Sequence, residues 1–330
     1  MKILILRLSS IGDIVLTQPV PRVLKDKFPD SRIDYLTKPV YKGVVEAFGC
    51  IDNIYEWEDK KNAIRIIRKN KYDLVIDLHS KLNTSIIKFL SGTKKLITVN
   101  KRHWYRWALT KKVVKQPNES ISNIYLKTLQ KIGIDIINFA PVLYPKKVLK
   151  KVIHQLYDDN GIDRKRKLVG IFPGALHYTK QYSTTDLAKF INLVPDKYRC
   201  HFLILGTKED NKFAEKIIER TGVRVYNLCG TANIPELIAL IDTLDIIISN
   251  DSGPMHIAAA LKKPQIAIFG GTHSKLGFSP LNYNAVVLQA NLPCQPCSVH
   301  GLERCPLGTM ACMKAITADH LLSVFEELIN

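Results

Sequence analysis

The sequence predicts an α/β protein built as two doubly wound parallel-sheet domains. Three observations predict it. Apolar runs of strand length alternate with amphipathic stretches of helix length; the alternation restarts after a proline-containing break at residues 140–147; and 330 residues, 46% hydrophobic, exceed what one core usually supports.

In the first half, Lys2 to Leu8, Ile33 to Leu36, Asn53 to Tyr55, Asp73 to Leu78 and Leu96 to Val99 read as strands, with helical stretches between them. Ala140 to Lys147, with Pro141 and Pro145, reads as a linker and divides a domain of residues 1–145 from one of residues 146–330. Val148 to Asn160 opens the second domain as a helix. Its strands are Leu168 to Phe172, His201 to Leu205, Val223 to Asn227, Asp245 to Ser249 and Gln265 to Phe269. Thr317 to Ile329 carries Leu321, Leu322, Phe325 and Leu328 at helical spacing and reads as a closing amphipathic helix. Doubly wound sheets bind ligands at the C-terminal ends of their strands, so the chemistry is expected in the strand-to-helix loops, around a cleft between the two domains.

The opening MKILILRLSS has neither the long apolar centre nor the cleavage site of a signal peptide. No run approaches the roughly 20 apolar residues of a bilayer span. The expectation is a cytoplasmic protein whose membrane contact, if any, is peripheral. Net charge is +18, and it clusters: Lys94, Lys95, Lys101, Arg102, Arg106, Lys111, Lys112 and Lys115 fall within residues 94–115 with no acidic residue, interleaved with Trp104, Tyr105 and Trp107. Such a segment suits an anionic membrane surface, an anionic glycolipid or a nucleic acid; a solvated loop is the plain alternative.

Three loops carry candidate chemistry. Arg7-Leu-Ser9-Ser10-Ile-Gly12-Asp13 runs from the first strand into a helix, where Gly12 permits close backbone approach and free amides face an anion. Asp13 then projects toward the ligand, although Ser10-x-x-Asp13 also fits a capping box, the commoner occupant of such spacing. Pro173-Gly174-Ala175, followed by Lys180, can wrap a phosphate or simply turn the chain. Asp251-Ser252-Gly253-Pro254-Met255-His256 places Pro254 at a first helical position and leaves a polar strand-to-helix loop ahead of it. Neither G-x-G-x-x-G nor a P-loop pattern occurs, which counts against dinucleotide redox chemistry and ATP hydrolysis.

Taken together, the order of these loops resembles glycosyltransferase family 9, the ADP-heptose:lipopolysaccharide heptosyltransferases. The resemblance spans nearly the whole chain. It rests on Arg7-x-Ser9-Ser10-x-Gly12-Asp13 with Pro19, Tyr72-Asp-Leu-Val-Ile-Asp77-Leu-His79, Pro173-Gly174-Ala175 with Lys180, and Asn250-Asp251-Ser252-Gly253-Pro254-Met255-His256. Departures are Tyr182, where many relatives carry Trp, and the loop Leu176 to Thr179. The resemblance implies a GT-B fold of two facing Rossmann-like domains, the first binding acceptor and the second the nucleotide sugar. It further implies inversion without a catalytic metal or other cofactor, with Asp13 as general base. Ser9, Ser10 and Gly12 then form the acceptor or phosphate loop. Gly174, Ala175, Lys180, Asp251, Ser252, Gly253 and His256 form the donor site. The implied partners are ADP-heptose, an anionic lipopolysaccharide core and, through segment 94–115, the inner membrane face, with no nucleic acid. A carboxylate at a helix start is a weak base, which an oxocarbenium-like transition state with late proton transfer accommodates.

Cys294-x-x-Cys297, Cys305 and Cys312 have spacing compatible with a structural zinc site or with reduced, unligated thiols. Cys50, Cys200 and Cys229 are isolated and read as buried filler. Glu209 and Asp210 face two readings, ribose contacts or helix-start acids. The alternatives to a heptosyltransferase are another GT-B enzyme such as a nucleotide-sugar epimerase, and a basic nucleic-acid-binding protein with a zinc module.

Overall fold

The computed structural model describes residues 1–80, 93, 95–135 and 139–329. They form two compact units, Met1–His103 with Glu119–Tyr144, and Trp104–Asn118 with Pro145–Asn330. Lys94 of the basic segment lies outside the described residues.

The first unit is a parallel sheet of β1 (Lys2–Leu6), β2 (Arg32–Thr37), β3 (Asn53–Glu56), β4 (Leu74–Asp77) and β5 (Lys95–Thr98), in the order β3-β2-β1-β4-β5. Its helices are α1 (Ile11–Thr17), α2 (Pro19–Lys27), α3 (Lys42–Glu46) and α4 (Lys60–Asn70). α5 (His103–Thr110) leads out of the unit, and α6 (Ile121–Leu126) returns to it. β1 is central, paired with β2 on one side and β4 on the other, and Ile3, Leu4, Ile5 and Leu6 are fully buried. A strand covered on both faces reads as a continuous apolar run, which is how it shows in the sequence. Each such Leu or Ile contributes about 1.5–3 kcal/mol by leaving water.

The second unit is a six-stranded parallel sheet of β6 (Lys167–Phe172), β7 (Cys200–Ile204), β8 (Val225–Asn227), β9 (Ile246–Asn250), β10 (Gln265–Phe269) and β11 (Ala285–Gln289), in the order β11-β10-β9-β6-β7-β8. Flanking it are α7 (Lys147–Asp159), α8 (Thr184–Leu193), α9 (Asn211–Ile218), α10 (Ile234–Thr243), α11 (Gly253–Ala260), α12 (Ala311–Lys314) and α13 (Ala318–Ile329). α10 starts on the signals its sequence carries: Asn233 and Glu236 close a capping box, and Pro235 sits in the first turn. Gly170 in β6 is required by packing, since a Cβ there would lie 2.4 Å from Leu244 Cδ1. The closing helix α13 buries Leu321 and Phe325, and the Phe325 ring meets Phe190 edge-on at 5.3 Å between centroids.

Both sheets are α/β and Rossmann-like: the chain builds outward from a first central strand, then returns to that strand's other side. In the first unit the reversal lies between β1 and β4, where Leu6 pairs with Asp77. In the second it lies between β6 and β9, where Phe172 pairs with Ser249. Adjacent strands there send their following loops in opposite directions, which opens a crevice at their C-terminal ends. The Asp13 loop follows β1, and the Gly174 and Asp251 loops follow β6 and β9.

The sequence reading lacks β11. It also carries β1 to Leu8, whereas the strand ends at Leu6 and Arg7 leaves it. β8 is confined to Val225–Asn227.

Candidate active site

In the first unit the end of β1 delivers Arg7, which is buried and reaches two ways. Its Nη1 donates to the Leu78 carbonyl just past β4 at 2.8 Å. Its Nη2 lies 2.6 Å from Asp13 Oδ2. Asp13 also accepts hydrogen bonds from Tyr125 Oη on α6 at 3.1 Å and from Ser10 Oγ at 3.1 Å. The Arg7 guanidinium stands over the Tyr125 ring, 5.5 Å from its centroid. Despite these three partners the Asp13 side chain keeps 24% of its surface accessible.

Burial pushes the Asp13 carboxyl up, but the Arg7 guanidinium, the Lys101 ammonium and the Tyr125 and Ser10 hydrogen bonds outweigh it, so its pKa lies below the ordinary carboxylate value. Burial pushes the Tyr125 phenol well up, and the Asp13 charge adds to this, so Tyr125 remains a donor. The capping box suggested by Ser10-x-x-Asp13 does not form: α1 starts with no side-chain cap bond. A charge-assisted bond to Arg7 at 2.6 Å outcompetes a neutral backbone amide for the same carboxylate. Ser10 is exposed, Ser9 half-buried, and Gly12 buried inside α1.

At the neighbouring strand end, Asp77 accepts from the His79 and Ser80 amides at 2.8 and 2.9 Å, and Lys101 Nζ bonds the His79 carbonyl. A cavity of about 390 Å³ in the same unit is lined by Asn100, Arg102, Glu119, Ile124, Lys127, Thr128 and Lys131. Three cations against one carboxylate suit it to an anionic ligand.

The second unit gathers its site around Lys180, which ends a short 3₁₀ turn, Tyr178–Lys180. Its ammonium lies 2.9 Å from Asp251 Oδ2, and the two side chains are only 15% and 8% exposed. Thr272 Oγ1, just after β10, donates to the same carboxylate oxygen at 2.7 Å. The turn is fastened from outside: Thr179 N donates to the Leu302 carbonyl at 3.0 Å, and Leu302 N returns a bond to Thr179 Oγ1 at 2.8 Å. Gly301 lets that strap lie flat, because its φ is +103° and a Cβ would approach His177 Cβ to 2.7 Å and Lys180 Cδ to 2.9 Å.

Gly174 and Ala175 form the loop after β6. Asn250 Nδ2 holds the Pro173 carbonyl at 2.8 Å while its Oδ1 accepts from Tyr182 N at 3.1 Å. Asn250 thus ties the β6 loop to the β9 loop. Tyr182 is buried and donates to the Ile316 carbonyl at 2.7 Å, an anchoring task that a phenol performs here. Gly174 admits the Asp210 carboxylate, whose Oδ1 would lie 2.1 Å from a Cβ at 174. Asp210 itself closes a capping box with Thr207, so it is a helix-start acid, and Glu209 beside it is exposed. Ser252 caps α11 without a side-chain bond, Gly253 opens the helix, and His256 is buried on it.

The zinc expectation is corrected. Among the described residues no three His, Cys, Asp or Glu side chains converge so as to hold a metal ion. Cys297 Sγ instead donates to the Gly271 carbonyl at 3.2 Å, and Cys312 is packed into the core of the second unit. Burial pushes both thiols up, with the neighbouring cysteines adding to it. All seven cysteines are free. Cys229 is buried, whereas Cys50 and Cys200 are only partly so.

Of the residues singled out in the sequence, the structure brings Asp13 together with Ser10, and Lys180 together with Asp251. The sequence reading leaves out Tyr125, Thr272 and Gly301, and has Lys101 only in the basic segment and Thr179 only at the end of a loop. Arg7 stands inside the first motif, and that was its only signal.

Comparison with known proteins follows this geometry. The sequence pattern of glycosyltransferase family 9 (heptosyltransferase) matches residues 62–305. Lipopolysaccharide heptosyltransferase 1 of Campylobacter coli is 28% identical over 304 residues, covering 87% of this chain and 89% of that protein. Among solved structures, a glycosyl transferase family 9 protein of Veillonella parvula superposes with a TM-score of 0.83 at 18% identity, covering 99% of this chain and 97% of its own. E. coli ADP-heptose LPS heptosyltransferase II gives 0.80 at 19% identity, over 100% and 98%. At these identities the two structures support the fold.

Proposed function

The chain belongs to glycosyltransferase family 9, the heptosyltransferases, and we propose that it moves a heptose from ADP-heptose to the inner core of a lipopolysaccharide, inverting the anomeric carbon without a catalytic metal. The observation that carries this reading is Asp13: an ionised carboxylate held by Arg7, Tyr125 and Ser10 yet still accessible. Family membership removes the ground for the nucleic-acid reading and disfavours an epimerase.

In the proposed reaction the acceptor hydroxyl oxygen attacks C1 of the sugar from the face opposite the diphosphate. The C1–O bond to the diphosphate breaks, ADP departs with that electron pair, and the hydroxyl proton passes to Asp13. A carboxyl with a depressed pKa is a weak base in the ground state. It is adequate when C1–O cleavage runs ahead and the oxocarbenium-like centre makes the attacking hydroxyl acidic late in the reaction. The same fixed negative charge stabilises the positive sugar ring. On the leaving side, Lys180 retains two further N–H donors for diphosphate oxygens while it holds Asp251, and the amides that open α11 offer more. Gly174 and Ala175 let backbone approach the donor. Asp251, Ser252 and Gly253 then hold its sugar and diphosphate, with His256 supporting α11. Ser9, Ser10 and Gly12 line the acceptor side. The cationic cavity at Arg102, Lys127 and Lys131 suits the acidic groups of the acceptor.

A transfer assay over a panel of nucleotide sugars with core-oligosaccharide acceptors tests the proposal. ADP-heptose is expected to be turned over fastest, with a rate unchanged by a chelator. Preference for a uridine-linked hexose would overturn the donor assignment, and loss of rate on chelation would overturn metal independence.

Replacing Arg7 tests the charge balance. The depressed Asp13 pKa keeps the carboxylate ionised to lower pH than an ordinary Asp, and its stabilising contribution is present above the ordinary value and lost as pH falls through the depressed one. In Arg7→Gln, burial acts with less opposition, so the acid limb of the kcat/KM pH profile is expected to move upward. An acid limb at the wild-type position would mean that Arg7 does not set the ionisation of Asp13.

A further inference from the structure

We infer that the outer face of α5 and the turn after it is a docking surface for an anionic lipid bilayer. The inference is independent of which sugar is transferred. The inner side of this segment is firmly seated within the second unit. Arg106, Ala108 and Leu109 are buried, and the Arg106 guanidinium stands 5.7 Å from the centroid of the Phe278 ring. Lys112 Nζ bonds the Gln295 carbonyl and, at 3.3 Å, that of Pro296. Asn118 N donates to the Lys275 carbonyl at 2.8 Å, and its side-chain amide to that of Leu276 at 3.3 Å.

The outer side is the reverse of what such a seated helix presents to water. Trp104 and Trp107, two of the three tryptophans in the chain, are 65% and 50% exposed, and their spacing of three residues puts them on one face. Lys111 follows one turn later, then exposed Val113 and Lys115. Lys111 and Lys115 make no ion pair among the described residues, and residues 94–115 contain no carboxylate to neutralise them.

Indoles on one helix face, bordered by lysines, match a membrane–water interface: the rings enter the headgroup layer and the ammonium groups meet anionic lipid. Each Lys near such a surface strengthens binding by about fivefold. No described helix is long and apolar enough to cross a membrane, so the contact is one of lying on the surface. Val113 distinguishes this patch from a nucleic-acid surface, since an aliphatic side chain among the cations serves acyl chains and offers a phosphodiester nothing.

The test uses the full chain in a Trp57→Phe background, which leaves only Trp104 and Trp107 as indole reporters. Vesicles of phosphatidylethanolamine with about a quarter phosphatidylglycerol are expected to shift their fluorescence to the blue and to co-sediment the protein, with binding that weakens as salt screens the headgroups. Trp104→Ser with Trp107→Ser, and separately Lys111→Gln with Lys115→Gln, are each expected to lower vesicle partitioning by about tenfold or more, with unchanged circular dichroism. Turnover of a water-soluble truncated acceptor should be unaffected. Equal binding to phosphatidylcholine vesicles, undiminished binding by the Trp variant, or tighter binding to a single-stranded oligonucleotide than to the vesicles would each overturn the inference. A chain that docks as expected but transfers no sugar would count against the transferase proposal and leave the docking surface standing.

Discussion

Asp13→Ala is expected to lower kcat by about a thousandfold, within the range that a positioned general base supplies. ADP binding to the second unit should be retained. The substitution also leaves the Arg7 guanidinium buried beside no counter-ion, and breaking such a pair destabilises by about 3–5 kcal/mol. Thermal unfolding must therefore accompany the kinetics. Asp13→Asn separates the two effects, because the amide oxygen still accepts from Arg7 while the proton acceptor and the negative charge are gone. Turnover within tenfold of wild type in either folded variant would remove Asp13 from the base role.

The second large effect is expected at Lys180. Lys180→Ala should reduce kcat/KM by about a hundredfold to a thousandfold, the size seen when one preorganised group on a developing charge is removed. ADP affinity should fall as well, since the ammonium is assigned to the diphosphate. Among the described residues Asp251 is then left buried with Thr272 as its one side-chain partner, so a loss of stability is expected too. Adding Asp251→Asn to Lys180→Ala should recover stability without recovering catalysis. If the double variant regained activity along with stability, Lys180 would be a structural counter-ion and not a donor ligand.

The fold was largely legible because both sheets are parallel and covered on both faces, so β1, β4, β6, β9 and β10 show as uninterrupted apolar runs. β11 was missed although Ala285 to Leu288 is an apolar run of the same kind; in the structure it lies at the sheet edge and only Leu288 of it is buried. The site divided along a different line. Loop motifs are local in sequence and were readable, whereas the groups that set their charge are not. Tyr125 meets Asp13 from 112 residues away, and Thr272 meets Asp251 from 21 residues away on another strand end. The capping-box spacing at Ser10 and Asp13 was a correct pattern with the wrong occupant, because spacing cannot register a guanidinium arriving from the preceding strand. Cysteine spacing left zinc and free thiols both open, because it reports only separation along the chain; in the structure the thiols of Cys297 and Cys312 are taken by a carbonyl and by the core.

The Lys180–Asp251 pair gives the proposed donor site a property of its own. An uncompensated ammonium in a phosphate-binding loop attracts any small oxyanion. Here the ammonium already has a tethered carboxylate at 2.9 Å, itself held by Thr272. A lone phosphate ion must share the cation with that internal rival and gains little. A sugar nucleotide brings its base, ribose and sugar contacts to the same contest. On the proposed assignment, self-neutralisation thus acts as a threshold that disfavours a lone oxyanion relative to a complete sugar nucleotide.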